Sequence, residues 1–376
     1  MQDNNMPISQ EKFKLKLKTV LLMTVIWLSA GVFFHMVDFL SGNAYRNGNS
    51  PVDLDRTAIL VLRIISVAIA GIITGIFEAF ISEKRYARLH FGKLILYSSF
   101  YYLALYFALF VLGIFLYRVI VFTDDISFVS FNRQMLNYLL TPQSCMSLMI
   151  FGTLVLFSTF ILRTREKFGP RTISRLLAGK YFFPKEERRI FMFLDLKSST
   201  SIAEKLGPLK YHQFLNDFFR VITYPVLYRK GEIYQYVGDE ITVSWSEKNG
   251  IKNDNCLECF FEIEKAVRHS MQDFIIKYDV IPEFKASMHA GKTVAGEIGI
   301  IKREIVYSGD TLNTAARIQE LCNKYGEKLL ISGDLMEMLN PQKDYLVNEI
   351  GEKYLRGRTA SIMLYGIRKQ AAEIAA

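Results

Sequence analysis

The hydrophobic and polar positions divide the chain near residue 163. Before it lie four apolar stretches, at 20–40, 57–77, 94–117 and 145–162, separated by polar connections. Each is close to the ~20 residues that a helix needs to cross a hydrocarbon core. Four in succession predict a four-helix transmembrane domain over 19–163, not the buried helices of a soluble core. The first stretch is too long for a secretory signal core and no small-residue cleavage site follows it, so it is read as retained. After residue 187 the period changes. "RRIFMFLDL" is an apolar run of strand length, expected of a central strand covered on both faces. "SSTSIAEKLG" and "LKYHQFLNDFFRVITYPVLYRK" read as helices, "GEIYQYVGDEITVSWS" as a hairpin, and "LECFFEIEKAVRHSMQDFIIKY" as an amphipathic helix. "EFKASMHAG" and "REIVYSG" read as strands, "DTLNTAARIQELCNKYG" as a helix capped by Asp310 or Thr311, and three further strands follow.

Strand, helices, hairpin, helix, strand is the βαββαβ order of a ferredoxin-like α/β domain, here with a C-terminal extension. The first strand is expected beside the second and third. The organisation read from the sequence is a tail at 1–18, the membrane domain at 19–163, a linker helix at 164–187, the α/β domain at 188–368 and a short tail at 369–376.

Composition supports this division: 51% of residues are hydrophobic and 14% aromatic, concentrated in the first half. The net charge of +9 comes largely from "EKFKLKLK", "EKRYARLHFGK" and "RTREKFGPRTISR" beside the spans, while the other two connections carry Asp53, Asp55, Asp124 and Asp125. The positive-inside rule then places both termini in the cytoplasm of a multi-pass protein of the cytoplasmic (inner) membrane. Basic residues that hug the spans face anionic lipid, which argues against a nucleic-acid partner. Four cysteines are too few for a disulfide framework, and Cys256 and Cys259, on a helical pattern without a second pair, read as buried thiols. His35 alone makes no metal or haem site. Asp38 and Arg63 are expected to pair near the outer ends of their spans, and Glu78 to snorkel or form a structural ion pair near the inner end of its own.

The candidate chemistry sits at strand ends. Asp195 ends the first strand in "FLDLKSST", and Asp239 tops the hairpin behind Gly238. If the two meet, their hard oxygens suit Mg²⁺ or Mn²⁺ with positions left for phosphate and water. The turn "LKSST" enters a helix whose free N–H groups form a phosphate cradle. These residues alone point to metal-dependent phosphoryl or nucleotidyl chemistry.

Together with "YVGDE", "MHAGKTVAGEIG", "GDTLNTAAR" and "YLRGRTASIMLYGI", in that order, "FLDLKSST" makes the segment 188–368 resemble the catalytic domain of class III adenylate/guanylate cyclases. The resemblance implies two divalent metals per active site, on Asp195, Asp239 and the Leu196 carbonyl. It further implies that Asn313 positions the ribose, Arg317 neutralises charge on the α-phosphate, and Arg356 grips the terminal phosphates. Asn313 and Arg317, four apart, share a helix face. In the family each site forms between two catalytic domains, so one domain with both halves intact implies a homodimer.

Some positions depart from the family pattern. Gln235 stands where adenylate cyclases usually have Lys, and Val306 where they have Asp or Thr; neither is the Glu/Cys pair of guanylate cyclases. A Gln amide serves either purine. ATP is the expected substrate, with GTP or a catalytically idle nucleotide sensor as alternatives. Ser198 and Ser199 replace the common Gly-Phe before Thr200, which loosens phosphate packing but keeps the ligands. A diguanylate cyclase is disfavoured because "YVGDEI" lacks that family's first Gly and its Phe. Four spans, where membrane cyclases commonly have six, leave the membrane half outside the resemblance.

Overall fold

The computed structural model describes residues 6–40, 56–82, 91–121, parts of 149–164, 179–301, 303–339 and 345–370. The polar connections 41–55 and 122–148, the linker at 165–178 and the side chains of Asp38 and Arg63 lie outside the described residues. By its contacts the chain forms two units, Phe13–Ser174 and Met1–Lys12 with Arg175–Ala376.

In the first unit, three long helices coincide with the first three apolar stretches: α1 (Met6–Leu40), α2 (Arg56–Ile76) and α3 (Phe91–Val121). Helical residues also recur within 149–164. Gly71 and Gly75 let α1 and α2 cross closely: a Cβ at either would stand within 2.8 Å of the Thr24 or Val20 Cα. Small residues four apart serve helix packing of this kind in lipid. The interior gathers Met23, Trp27, Ala70, Phe77 and Tyr102. A π-helical turn, Phe77–Ser82, continues α2 and carries Glu78. Glu78 does not snorkel: it is buried and accepts a hydrogen bond from the Tyr102 hydroxyl. Among the described residues, Phe13–Phe33 is long and apolar enough to cross a membrane, and Ile64–Phe80 is a shorter apolar helix.

The second unit is built on β1 (Lys185–Leu196), β2 (Glu232–Val237), β3 (Glu240–Ser246), β4 (Phe284–Ile298), β5 (Glu304–Ser308), β6 (Leu329–Ser332), β7 (Tyr345–Tyr354) and β8 (Ser361–Lys369). The sheet order is β2-β3-β1-β4-β6-β8-β7, with β5 paired to β4. The expectation that β1 lies beside β2 is therefore corrected. β1 pairs with β3 and β4, both antiparallel, and β2 lies outside β3. A hairpin that follows a crossover helix returns its second strand, not its first, to the strand before the helix.

One face of the sheet is covered by α4 (Ser199–Tyr228, kinked at Gly207), α5 (Asn255–His269) and α6 (Met271–Tyr278). On β1, Ile190, Met192, Leu194 and Leu196 point into this core; on β3, Ile241, Val243 and Trp245 do. Phe191 and Phe193 point to the other face, with Ala315 of α7 (Asp310–Tyr325). Both faces of β1 are thus dry, as its unbroken apolar run requires. Cys256 and Cys259 are buried free thiols in the α5 core, and burial pushes Cys256 up to about 12. Neither Asp310 nor Thr311 caps α7. Gly309 precedes its first residue, Thr311 donates to the Lys292 carbonyl at 2.6 Å, and Thr314 donates to Asp310 at 3.3 Å.

Candidate active site

The alternation of β1 decides where its last acid goes. Phe191 and Phe193 face α7, so Asp195, two residues on, belongs to that face where the strand ends. Its cross-strand partners are Glu240 on β3 and Lys285 on β4. The β2–β3 turn is Gly238–Asp239, and Gly238 takes φ 63. The glycine is required by this left-handed backbone and not by crowding, since a Cβ there would meet nothing within 4 Å.

Asp195 and Asp239 meet, side chain to side chain. Burial first, and then the Asp239 carboxylate, push Asp195 up to about 6, against the pull of Lys285, whose Nζ lies 3.5 Å from Oδ2. Glu240 is pushed up to about 7 by burial and then by Asp195 and Asp239, with the Gln319 amide of α7 opposing. Tyr211 of α4 joins the group: burial and then Asp239 raise its hydroxyl, and Ser199 hydrogen-bonds it. Leu196 is buried and pairs with Phe284, while Lys197 N–H donates to the Glu283 carbonyl at 2.8 Å. Ser198 sits at φ 55 and α4 begins at Ser199, with Ser198 and Thr200 exposed. The first N–H groups of a helix have no partner inside it, and here they open beside the carboxylates.

The other predicted residues lie elsewhere in the chain. Asn313 is exposed and Arg317 half-buried on the outer side of α7. Arg317 is about 200° around the helix from Gln319, which faces the sheet, so its guanidinium points away from the carboxylates. It lies instead by the β7–β8 loop, where a Cβ at Gly357 would stand 3.5 Å from Nη2. Arg356 of that loop is exposed. Its neighbour Arg358 anchors the loop to α7, 3.3 Å from Asp310 and donating to Thr314 at 3.2 Å. Gln235 is exposed and Val306 half-buried. Their strands are brought together by adjacent tyrosines: Tyr307 N–H donates to the Tyr234 hydroxyl at 3.3 Å, and the rings lie 5.0 Å apart.

Lys285, Tyr211 and Arg358 were not singled out from the sequence, and Glu240 was noted only as the second acid of the hairpin tip. The signal for Lys285 was a lysine inside the strand "EFKASMHAG", with apolar neighbours on both sides.

Residues 184–369 match the family described as adenylate and guanylate cyclase catalytic domain. Adenylate cyclase 2 of Rhizobium meliloti is 37% identical over 199 residues, 53% of this chain and 55% of that protein. The adenylate cyclase of Anabaena cylindrica is 25% identical over 190 residues, 48% of this chain and 37% of that protein. The chain thus spans about half or less of the length of these relatives. A bacterial light-regulated adenylyl cyclase shares the fold, with a TM-score of 0.53 and 18% identity over 62% of this chain and 68% of its own. With the ordered motifs, this shows that the segment 184–369 belongs to the class III adenylate/guanylate cyclase family.

Proposed function

We propose that this chain is a membrane-anchored adenylate cyclase that converts ATP to 3′,5′-cyclic AMP and pyrophosphate at sites shared within a homodimer. The observation that carries the reading is the convergence of Asp195 and Asp239 at the end of β1. Two carboxylates crowded enough to raise a pKa, with Lys285 as the opposing charge, fit hard divalent cations. Asp195, Asp239 and the Leu196 carbonyl would hold Mg²⁺ or Mn²⁺, two per site, which when bound lower the pKa of the ribose 3′-hydroxyl and bind the triphosphate. Lys285 supplies a fixed positive charge to the phosphates beside these ligands. The N–H groups at Ser199 and Thr200 receive phosphate oxygens.

Asn313 and Arg317 serve the site of the opposite protomer, a role consistent with their outward placement on α7. There Asn313 orients the ribose, Arg317 meets charge developing on the α-phosphate, and Arg356 holds the terminal phosphates. Gln235 reads the purine edge beside Val306. Adenine is favoured because the pair is not the guanylate one and because the relatives at 37% and 25% identity are adenylate cyclases.

The membrane reading rests on surfaces. Leu21, Phe33, Ile65, Phe100 and Phe160 are exposed on the helices of the first unit, whereas Thr74, Glu78 and Tyr102 are inside it. Apolar outside and polar inside suits lipid as solvent. Four spans over 19–163 and a linker at 164–187 would hold the domain 188–368 at the cytoplasmic face of the inner membrane. Incubating the purified protein with Mn²⁺ and either ATP or GTP, and identifying the product, tests the reading. Cyclic AMP is expected from ATP; cyclic GMP alone would reassign the base, and no cyclic product from either would leave a nucleotide sensor.

A further inference from the structure

Three carboxylates gather where β1 ends, and the cyclase reading uses two of them. The third, Glu240, stands directly opposite Asp195 in the β1–β3 register and follows Asp239 in the chain. Opposed residues of an antiparallel pair hold their Cβ atoms about 4.5–5.5 Å apart. Because Ile241, Val243 and Trp245 enter the core on the α4–α6 face, Glu240 shares the α7 face with Asp195. On that face α7 lays Gln319 against it. Gln319 is 7% exposed, its amide approaches the Glu240 carboxylate, and its Nε2 makes no hydrogen bond of good geometry among the described residues. A buried amide is costly to leave underused, and this one is directed at a carboxylate that already faces two others.

We propose that Glu240, oriented by Gln319, is a positioning residue for the cations held by Asp195 and Asp239: it accepts hydrogen bonds from cation-bound water. The proposal rests on the cyclase reading of that pair. Outer partners of this kind tune metal affinity by about 10–100-fold when removed. Gln319 acts only through Glu240, by fixing the direction of its carboxylate.

The test is Mn²⁺ binding to the full-length protein without nucleotide, followed by loss of the free-ion electron paramagnetic resonance signal, so that the readout is not turnover. Glu240→Gln is expected to raise the Mn²⁺ Kd about 10-fold, with the metal-free thermal midpoint unchanged. Gln319→Met, which keeps the volume and removes the amide, is expected to raise it about 3-fold, and the double variant to bind no more weakly than Glu240→Gln alone. Asp195→Asn is the control and loses binding. If it loses binding while Glu240→Gln keeps the parental Kd, the positioning role is overturned and the cyclase reading stands. If Asp195→Asn itself binds as the parent does, the metal reading of the pair fails as well. Additive effects in the double variant would overturn the action of Gln319 through Glu240. Should Glu240→Gln not fold, Glu240→Asp keeps the charge and shortens the reach; an unchanged Kd there overturns the proposal, and a weakened one with an unchanged midpoint supports it.

Discussion

Arg189 and Asp195 stand six residues apart on β1, on the same face of the sheet, and their surroundings are opposite. Arg189 is 2% exposed and lies 3.1 Å from both Glu187 and Glu232. It donates to Ser244 at 2.8 Å and lies 4.6 Å from the centre of the Tyr307 ring. Asp195 meets Asp239 and faces Glu240, with only Lys285 in opposition among the described residues. The first charge is compensated by groups of opposite sign, and its removal would strand them. The second is crowded by its own sign, a condition that a fold tolerates where a bound cation relieves it. A buried charge by itself therefore says little; the sign of its neighbours separates a structural ion-pair network from a site waiting for a ligand.

The largest effect that can break this comparison is on turnover. Asp195→Ala and Asp239→Ala are expected to lower kcat by at least about 10³-fold while the metal-free thermal midpoint stays level or rises, because like-charge crowding is relieved. A midpoint that falls with activity would place Asp195 in the same class as Arg189. Arg317→Ala is expected to cost about 10²–10³-fold in kcat, the scale of a lost transition-state donor.

Mixing the Asp239→Ala and Arg317→Ala chains sharpens the assignment to two protomers. Half the dimers then carry one intact site of two, so activity should return to about a quarter of the parent. Mixed dimers without recovery would put both residues in one protomer's site.

Arg189→Met should show the reverse profile to Asp195. Glu187 and Glu232 lose their partner, and breaking a buried pair of this kind costs about 3 kcal/mol when the carboxylates keep some solvent. Chemical denaturation should register that loss, with kcat per folded molecule nearly unchanged. A stable variant with depressed kcat would make the Arg189 cluster part of the chemistry.

Legibility in the sequence followed the same contrast. Asp195, Asp239, Asn313 and Arg317 announced themselves because short motifs place them at a strand end, a glycine turn and one helix face. Lys285 and Gln319 did not, because they reach Asp195 and Glu240 only through the β1–β4 register and the seating of α7 on the sheet, and spacing along the chain encodes neither. The order β3-β1-β4 was misread for a related reason: local pattern gives strands and turns, whereas adjacency follows from which strand of the hairpin the crossover delivers. Arg189, inside "RRIFMFLDL", was not singled out from the sequence and is buried, 2% exposed.

Between the two charged positions the same face of the sheet holds a third titratable group, and it gives the smallest effect. His289 on β4 pairs in register with Phe191, which lies between Arg189 and Asp195. It is 7% exposed on its side chain, with Nδ1 2.8 Å from the Ser332 hydroxyl. Burial pushes it down to about 4, and Asp334, at 3.8 Å, offsets this only in part. Its ordinary value is about 6.5, so the unfolded chain binds a proton that the folded one refuses between those two values. Stability from this group is then fully present above pH 6.5 and is lost as pH falls toward 4, by roughly 2 kcal/mol at pH 5. Urea midpoints of the parent and of His289→Gln, compared at pH 7 and pH 5, isolate the term: the parent should lose more than the variant. Equal losses would mean that His289 keeps its proton in the folded state, shared with Asp334, and the α7 face would then hold a second compensated charge instead of a neutral spacer between the two.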